Sequence, residues 1–393
     1  MRYKLMKIHL VVTLACILCF VSCKKKEVSA NMLQTAHTLE TTAYPIQDNY
    51  DAILKKMGLA NRMEAYGVPG ISMAIIKNGS LDWTMGYGKL QANSPNDVDV
   101  ETLFSVGSIS KVGTALMVLK LVKEGKLDLD TDVNIYLKSW KVETNRFTQE
   151  HPVTLRNILS HTAGFTVHGF ADYMPEESLP TTRQILDGDY PAKNSRVYIN
   201  LPVGSRYRYS GGGTTVVQQI IEEITGKSFH EAADDLLFSQ LNMNRSSYEN
   251  PLPETLGNIA KAHNRNGKPV ALPRGYQAMP EAAASGLWTT PTDFSEVILM
   301  LLSMYHEEGA GYLTQVLVKD MMRPVRPSEY GLGPRIKVDG DNIYFEHGGA
   351  NDSYRAKFIA SLKNKSGIIL FTNGTNGSNL IDEIIPEFDF ILQ

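Results

Sequence analysis

Apolar and polar positions divide this chain into segments of different character. Ile8 to Val21 is predominantly apolar and follows the basic residues Arg2, Lys4 and Lys7. Residues 24–45 are polar and lack periodicity, as a tether does. Ile46, Tyr50, Ile53, Leu54 and Met57 then recur at helical spacing. Two β-rich runs, Ile71–Lys77 and Leu81–Met85, flank Asn78-Gly79, and this pattern predicts a hairpin. A long apolar run that includes Met117, Val118, Leu119, Leu121 and Val122 predicts a buried helix opening near Ser108. Helices are expected at Leu155–Leu159, Val216–Ile224, Phe229–Leu241 and Phe294–Met304. Thr290-Pro291-Thr292-Asp293 supplies a cap, a first-turn proline and an early acid to the last of these. Strands return at Asn342–Phe345, Tyr354–Ala360 and Gly367–Thr372, before a final helix near Leu380–Ile385 that Pro386 bends.

Strands at both ends with helices between them predict an α+β fold. One antiparallel sheet is built from the N- and C-terminal segments and flanked by helices, and a mainly helical subdomain, roughly 125–290, is inserted. The expected organisation is a leader over 1–22, a tether over 23–45 and one domain over 46–393. No internal repeat or low-complexity tract is visible.

The leader has the basic start and apolar centre of a secretory signal. Ser22-Cys23 at its end resembles a bacterial lipobox, with Phe20 departing from the usual leucine. The implied product is a cell-envelope lipoprotein, periplasm-facing or on the surface, held to the membrane through lipidated Cys23. An ordinary signal peptide or an uncleaved anchor is the alternative. All three cysteines, Cys16, Cys19 and Cys23, lie here, so the rest of the chain has no disulfide and no thiol nucleophile. No later segment is apolar enough to span a membrane. The formal charge of −3 becomes −6 on removal of residues 1–22, which takes away three basic residues and no acidic one. An acidic chain argues against a nucleic-acid partner. Lys24-Lys25-Lys26 beside the anchor is the one basic run, suited to anionic headgroups or to a solvated tether.

Ser108 and Lys111 form a Ser-x-x-Lys pair at the start of the buried helix, on one helical face. Low dielectric disfavours an ammonium, so a buried lysine can be neutral near pH 7 and accept the serine proton. The spacing alone is weak, since Ser22-Cys23-Lys24-Lys25 repeats it without meaning. Metal chemistry finds little support: nine histidines are scattered and no His-Glu-x-x-His is present. Gly211-Gly212-Gly213 lacks the pattern of a phosphate loop, and no cofactor is implied.

Four further stretches raise the weight of that pair. They are Leu159-Ser160-His161-Thr162-Ala163-Gly164, Arg208-Tyr209-Ser210-Gly211, Ser285-Gly286-Leu287-Trp288 and Phe345-Glu346-His347-Gly348-Gly349-Ala350. With Ser108 and Lys111, in this order, they resemble the class C β-lactamase-like serine hydrolases, a family of β-lactamases, D-alanyl-D-alanine carboxypeptidases, D-aminopeptidases and esterases. The resemblance runs from about Ile46 to the C-terminus. It implies that Ser108 is the nucleophile, Lys111 its base and Tyr209 a proton shuttle, especially if nearby cations hold Tyr209 as a phenolate. It implies an oxyanion hole from the backbone N–H groups of Ser108 and Ala350. It also implies a substrate-binding strand edge at His347, Gly348 and Gly349, and a substrate-binding position at Gly211. His161 is expected to support the site, Trp288 to pack or line the cleft, and Asp293 to begin a helix.

Two departures bear on substrate. Gly211 stands where the family has a substrate-contacting asparagine, and His347 stands where β-lactamases have a lysine. Both weaken the case for a dedicated β-lactamase. The expected function is a Ser108 acyl-enzyme hydrolase of peptides or cell-wall fragments, D-aminopeptidase-like or D,D-carboxypeptidase-like. The alternatives are an esterase or weak β-lactamase, or a catalytically vestigial binding protein. Its partner is thus a small peptide, ester or β-lactam. Residues 165–200, with Tyr173, Tyr190 and Tyr198, are expected to form one cleft wall.

Overall fold

The computed structural model describes residues 50–307, 309 and 311–393. The leader, Cys23, the tether and the start of the helix expected from Ile46 lie outside the described residues.

Strand β1 (Gly70–Lys77) runs into β2 (Ser80–Gly88) through Asn78-Gly79, whose φ values of 53° and 75° make the tight left-handed turn that these residues favour. β1 also pairs antiparallel with β8 (Ser366–Thr372), near the other end of the chain. β5 (Arg335–Asp339), β6 (Asn342–Asn351) and β7 (Tyr354–Ser361) complete a six-stranded antiparallel sheet in the order β2-β1-β8-β7-β6-β5. The expected sheet from the two termini is therefore present. Its edge strand β5 escapes the sequence pattern, because only Ile336 of its five residues is buried.

β8 is buried along its whole length and β1 along all but Lys77, as central strands covered on both faces must be. Helix Pro291–His306 covers one face, where Phe294 meets Phe358 and Phe371. Helix Gly377–Glu387 packs against β7 and β8 and contains Pro386. The segment between β2 and β5 holds most of the helices, joined by long irregular stretches. Helices Ser110–Lys123 and Gly211–Thr225 contribute Val112, Leu116, Val217 and Ile220 to a core continuous with the sheet. The helix expected over Phe229–Leu241 is α-helical only to Ala233 and then widens to a π-turn over Asp234–Phe238. A two-stranded ladder of β3 (Phe104–Ser105) with β4 (Trp288–Thr289) leads into the site. Leu54–Gln393 is one compact unit. Among the described residues no helix is long and apolar enough to cross a membrane.

Candidate active site

Ser108 lies on a single 3-10 turn, Gly107–Ile109, that opens directly into helix Ser110–Lys123. Gly107 has φ +50°, where a side chain is strained, and its neighbour across the gap is the Ala350 backbone nitrogen. At Gly349 a Cβ would stand 1.8 Å from the Val106 carbonyl oxygen, so only glycine lets β6 approach the turn this closely. The Ser108 and Ala350 backbones thus meet at one end of the cleft. Ser110 ties the turn down: its hydroxyl donates to the Gly107 carbonyl at 2.5 Å and accepts from Leu287 N–H at 2.9 Å.

Lys111 Nζ lies 3.1 Å from Ser108 Oγ and donates to the Ala284 carbonyl at 2.7 Å. No carboxylate pairs with it among the described residues. Burial brings the Lys111 ammonium down to about 7. At neutral pH a large fraction of this lysine is therefore a free amine beside a serine hydroxyl.

Tyr209 is hydrogen-bonded to Ser108, and its ring centroid lies 5.0 Å from Lys111 Nζ. Burial pushes its phenol above the usual range, so Tyr209 is a neutral donor. The condition of a phenolate held by nearby cations is not met: the neighbouring lysine is itself half neutral, and desolvation penalises the anion.

His161 frames this tyrosine. Its carbonyl accepts Arg208 N–H at 2.8 Å and its Nδ1 accepts Ser210 N–H at 3.3 Å, while its ring lies 4.2 Å from that of Tyr209. Burial, with Lys111 next, holds the imidazole well below its usual range. Tyr330 meets both His161 and His347 edge-on and stacks on Tyr207. The Leu155–Leu159 helix delivers His161, with Thr154 and Asn157 forming a reciprocal cap.

His347 lines the cleft with Gly348, Gly349 and Ala350. Its Nδ1 donates to the Gly348 carbonyl at 2.6 Å, so a neutral ring leaves Nε2 as a bare acceptor, buried and without a partner among the described residues. Burial, and then the charge of Lys111, lower it to about 4. His347 is therefore uncharged at neutral pH, and the positive charge of a lysine at this position is not supplied.

Gly211 does not join the cleft lining, which corrects its expected substrate contact. It begins helix Gly211–Thr225, capped by Ser210, and its surroundings are filled by Phe170 and the His168 carbonyl. His168, Gly169 and Phe170 form the wall expected of residues 165–200. Tyr173 is buried, and the exposed Tyr190 and Tyr198 lie outside the lining. Trp288 is core, packed edge-on against Tyr276 and Tyr354. Asp293 receives the Thr290 cap on its N–H, while its carboxylate accepts from Arg245 N–H and Ser246.

The resulting cleft has a volume of about 580 Å³. Its far side is formed by Lys357 of β7 and by Ser378, Ile381 and Asp382 of helix Gly377–Glu387. Sequence reasoning missed these four, Tyr330 and the Ala284 carbonyl. Among the described residues no cluster of three metal-ligating side chains occurs.

Residues 59–384 match the Beta-lactamase family model. This chain belongs to the Beta-lactamase family. Protein flp of Staphylococcus aureus (strain MRSA252) is 25% identical over 327 residues, 81% of this chain and 61% of that protein. Teichoic acid D-alanine hydrolase of Staphylococcus aureus is 27% identical over 274 residues, 67% of this chain and 61% of that protein. The chain thus spans about three fifths of the length of these curated relatives. The crystal structure of SurE with D-Leu superposes with a TM-score of 0.66 at 22% identity, covering 87% of this chain and 75% of that one. This likeness shows the α+β fold.

Proposed function

We propose that this family member is a serine hydrolase that works through a Ser108 acyl-enzyme on D-amino-acid-containing peptides or esters of the cell envelope. The observation that carries the reading is the buried Lys111 amine, 3.1 Å from Ser108 Oγ and brought to about 7. In the first step neutral Lys111 takes the Ser108 proton as Oγ bonds to the substrate carbonyl carbon. The carbonyl π electrons move to oxygen, facing the N–H groups of Ser108 and Ala350. Collapse of this adduct breaks the bond to the leaving group. Tyr209 gives its O–H proton to the leaving amine or alkoxide and regains one from Lys111. Water then attacks the ester, with the same groups moving protons in reverse. This frees the acid and restores Ser108.

The neutral His347 and the occupied space beside Gly211 favour this substrate class over β-lactams. The D-alanine hydrolase among the relatives, and the D-Leu bound to a protein of the same fold, point the same way. Neither contact of the β-lactamase kind is supplied at these two positions. An esterase reading keeps the same chemistry and differs only in the leaving group.

A fluorophosphonate provides the test. It is expected to add its mass to the peptide containing Ser108, and Ser108→Ala to abolish the adduct together with hydrolysis of D-alanyl esters. An adduct that survives Ser108→Ala, or none from the folded protein, would overturn the reading.

A further inference from the structure

The charges that face the cleft have a simple arrangement. Lys111 is buried and largely committed to Ser108 and Ala284. His347, at the position where the family resemblance implies a cation, is a neutral imidazole whose bare Nε2 accepts. Two further lining residues are of opposite sign, Lys357 and Asp382. Neither side chain forms an ion pair or hydrogen bond with another described residue.

Their placement is set by the fold. Lys357 is the register partner of Gly348 across the β6–β7 ladder, so it stands one strand behind the edge that includes His347. Asp382 is on helix Gly377–Glu387, four residues after Ser378 and one after Ile381, and all three line the cleft from that helix. An unpaired charge in a concave site keeps its field for a ligand, whereas the surface pairs of this protein, such as Lys363–Asp341, satisfy each other. A ligand with one charge matches only half of this wall. A ligand with both an ammonium and a carboxylate matches all of it.

We propose that the cleft selects zwitterionic substrates, with Asp382 receiving the ammonium and Lys357 the carboxylate of one small D-amino-acid compound. The proposal deepens the hydrolase reading and rests on it for the D-configuration. It moves the anion-recognising cation from the motif histidine to the neighbouring strand.

Binding can be read without turnover. In the Ser108→Ala chain, isothermal titration calorimetry compares D-alanyl-D-alanine, its N-acetyl derivative and its C-terminal amide. The zwitterion is expected to bind at least about threefold tighter than either neutralised ligand, the scale of a solvent-facing ion pair. Adding Asp382→Asn is expected to erase the preference for the free amine alone. Adding Lys357→Met is expected to erase the preference for the free carboxylate alone, with Lys357→Arg restoring it. Equal affinity for the three ligands, no binding of any, or a uniform loss in both variants overturns the proposal. Selective binding by a chain whose wild type hydrolyses nothing would sink the hydrolase reading and leave this one standing.

Discussion

The edge of the Phe170 ring stands 2.9 Å from the point where a Cβ on Gly211 would lie, and the His168 carbonyl stands 3.2 Å from it. The loop that forms the cleft wall thus uses the room that a side chain at 211 needs. Gly211→Asn is expected to destabilise the protein by about 1–3 kcal/mol, the usual range for overpacking a filled site. Phe170→Ala combined with Gly211→Asn is expected to recover most of that loss. Denaturant melts of the single and double variants check this. Full additivity of the two effects would show that the residues do not compete for space.

Lys111 makes the acid limb of activity predictable. As the base it must be neutral, and its folded-state pKa lies at about 7. kcat/KM for a neutral ester is therefore expected to rise with pH through about 7 and then level. Lys111→Ala is expected to lower acylation by about 10²–10⁴, the span for a positioned base. Lys111→Arg is not expected to rescue it, since a guanidinium stays protonated. A rate that falls across this pH range would exclude Lys111 from the role.

Tyr209 enters the reaction as a neutral phenol, because burial raises it while its hydrogen bond to Ser108 only partly offsets that. A donor matters most when the leaving group is basic. Tyr209→Phe is expected to slow amide hydrolysis by about 10²-fold or more, and hydrolysis of a p-nitrophenyl ester by less than about tenfold. Equal losses on both substrates would show that Tyr209 acts in acylation of any substrate and not on the leaving group.

Much of this arrangement is legible in the chain, for local reasons. Asn78-Gly79 between β-rich runs specifies its hairpin without help. Ser108 with Lys111, and Gly348 with Gly349, are short-range patterns whose geometry is largely set by one turn or one strand. Other features depend on distant segments. The charge state of His347 follows from burial by the wall around it and from Lys111, more than two hundred residues earlier. That Gly211 is excluded from the cleft depends on where Phe170 folds back. Ala284 holds Lys111 through a backbone carbonyl, which no side-chain pattern announces. Lys357 and Asp382 are ordinary charged residues on an alternating strand and an amphipathic helix until the fold places both at one cleft.

The leader motif gives a prediction independent of the fold. If Ser22-Cys23 is processed as a lipobox, Cys23 becomes the lipidated first residue of the mature protein. Cys23→Ser is expected to shift the protein out of the membrane fraction or leave it unprocessed. An unlipidated mature N-terminus beyond residue 23, found by mass spectrometry, would contradict this.

The last prediction concerns stability and two carboxyls behind the site. Glu281 is buried with neither oxygen hydrogen-bonded among the described residues, and burial pushes it up to about 8, with Asp172 raising it further. Burial likewise pushes Asp172 up to about 7, with Asp352 next. Both are raised above their unfolded values near 4, so the folded chain holds protons that the unfolded chain releases. By linkage, their contribution to stability is complete below about pH 4 and is lost as pH rises through 7 and 8. Glu281 also accepts the Ala284 and Ser285 N–H groups on its backbone carbonyl, and Ala284 in turn holds Lys111. The melting temperature is expected to fall between pH 6 and pH 9, and Glu281→Gln, which keeps shape without charge, is expected to flatten that fall. Parallel pH profiles for wild type and Glu281→Gln would show that Glu281 is already ionised in the folded protein.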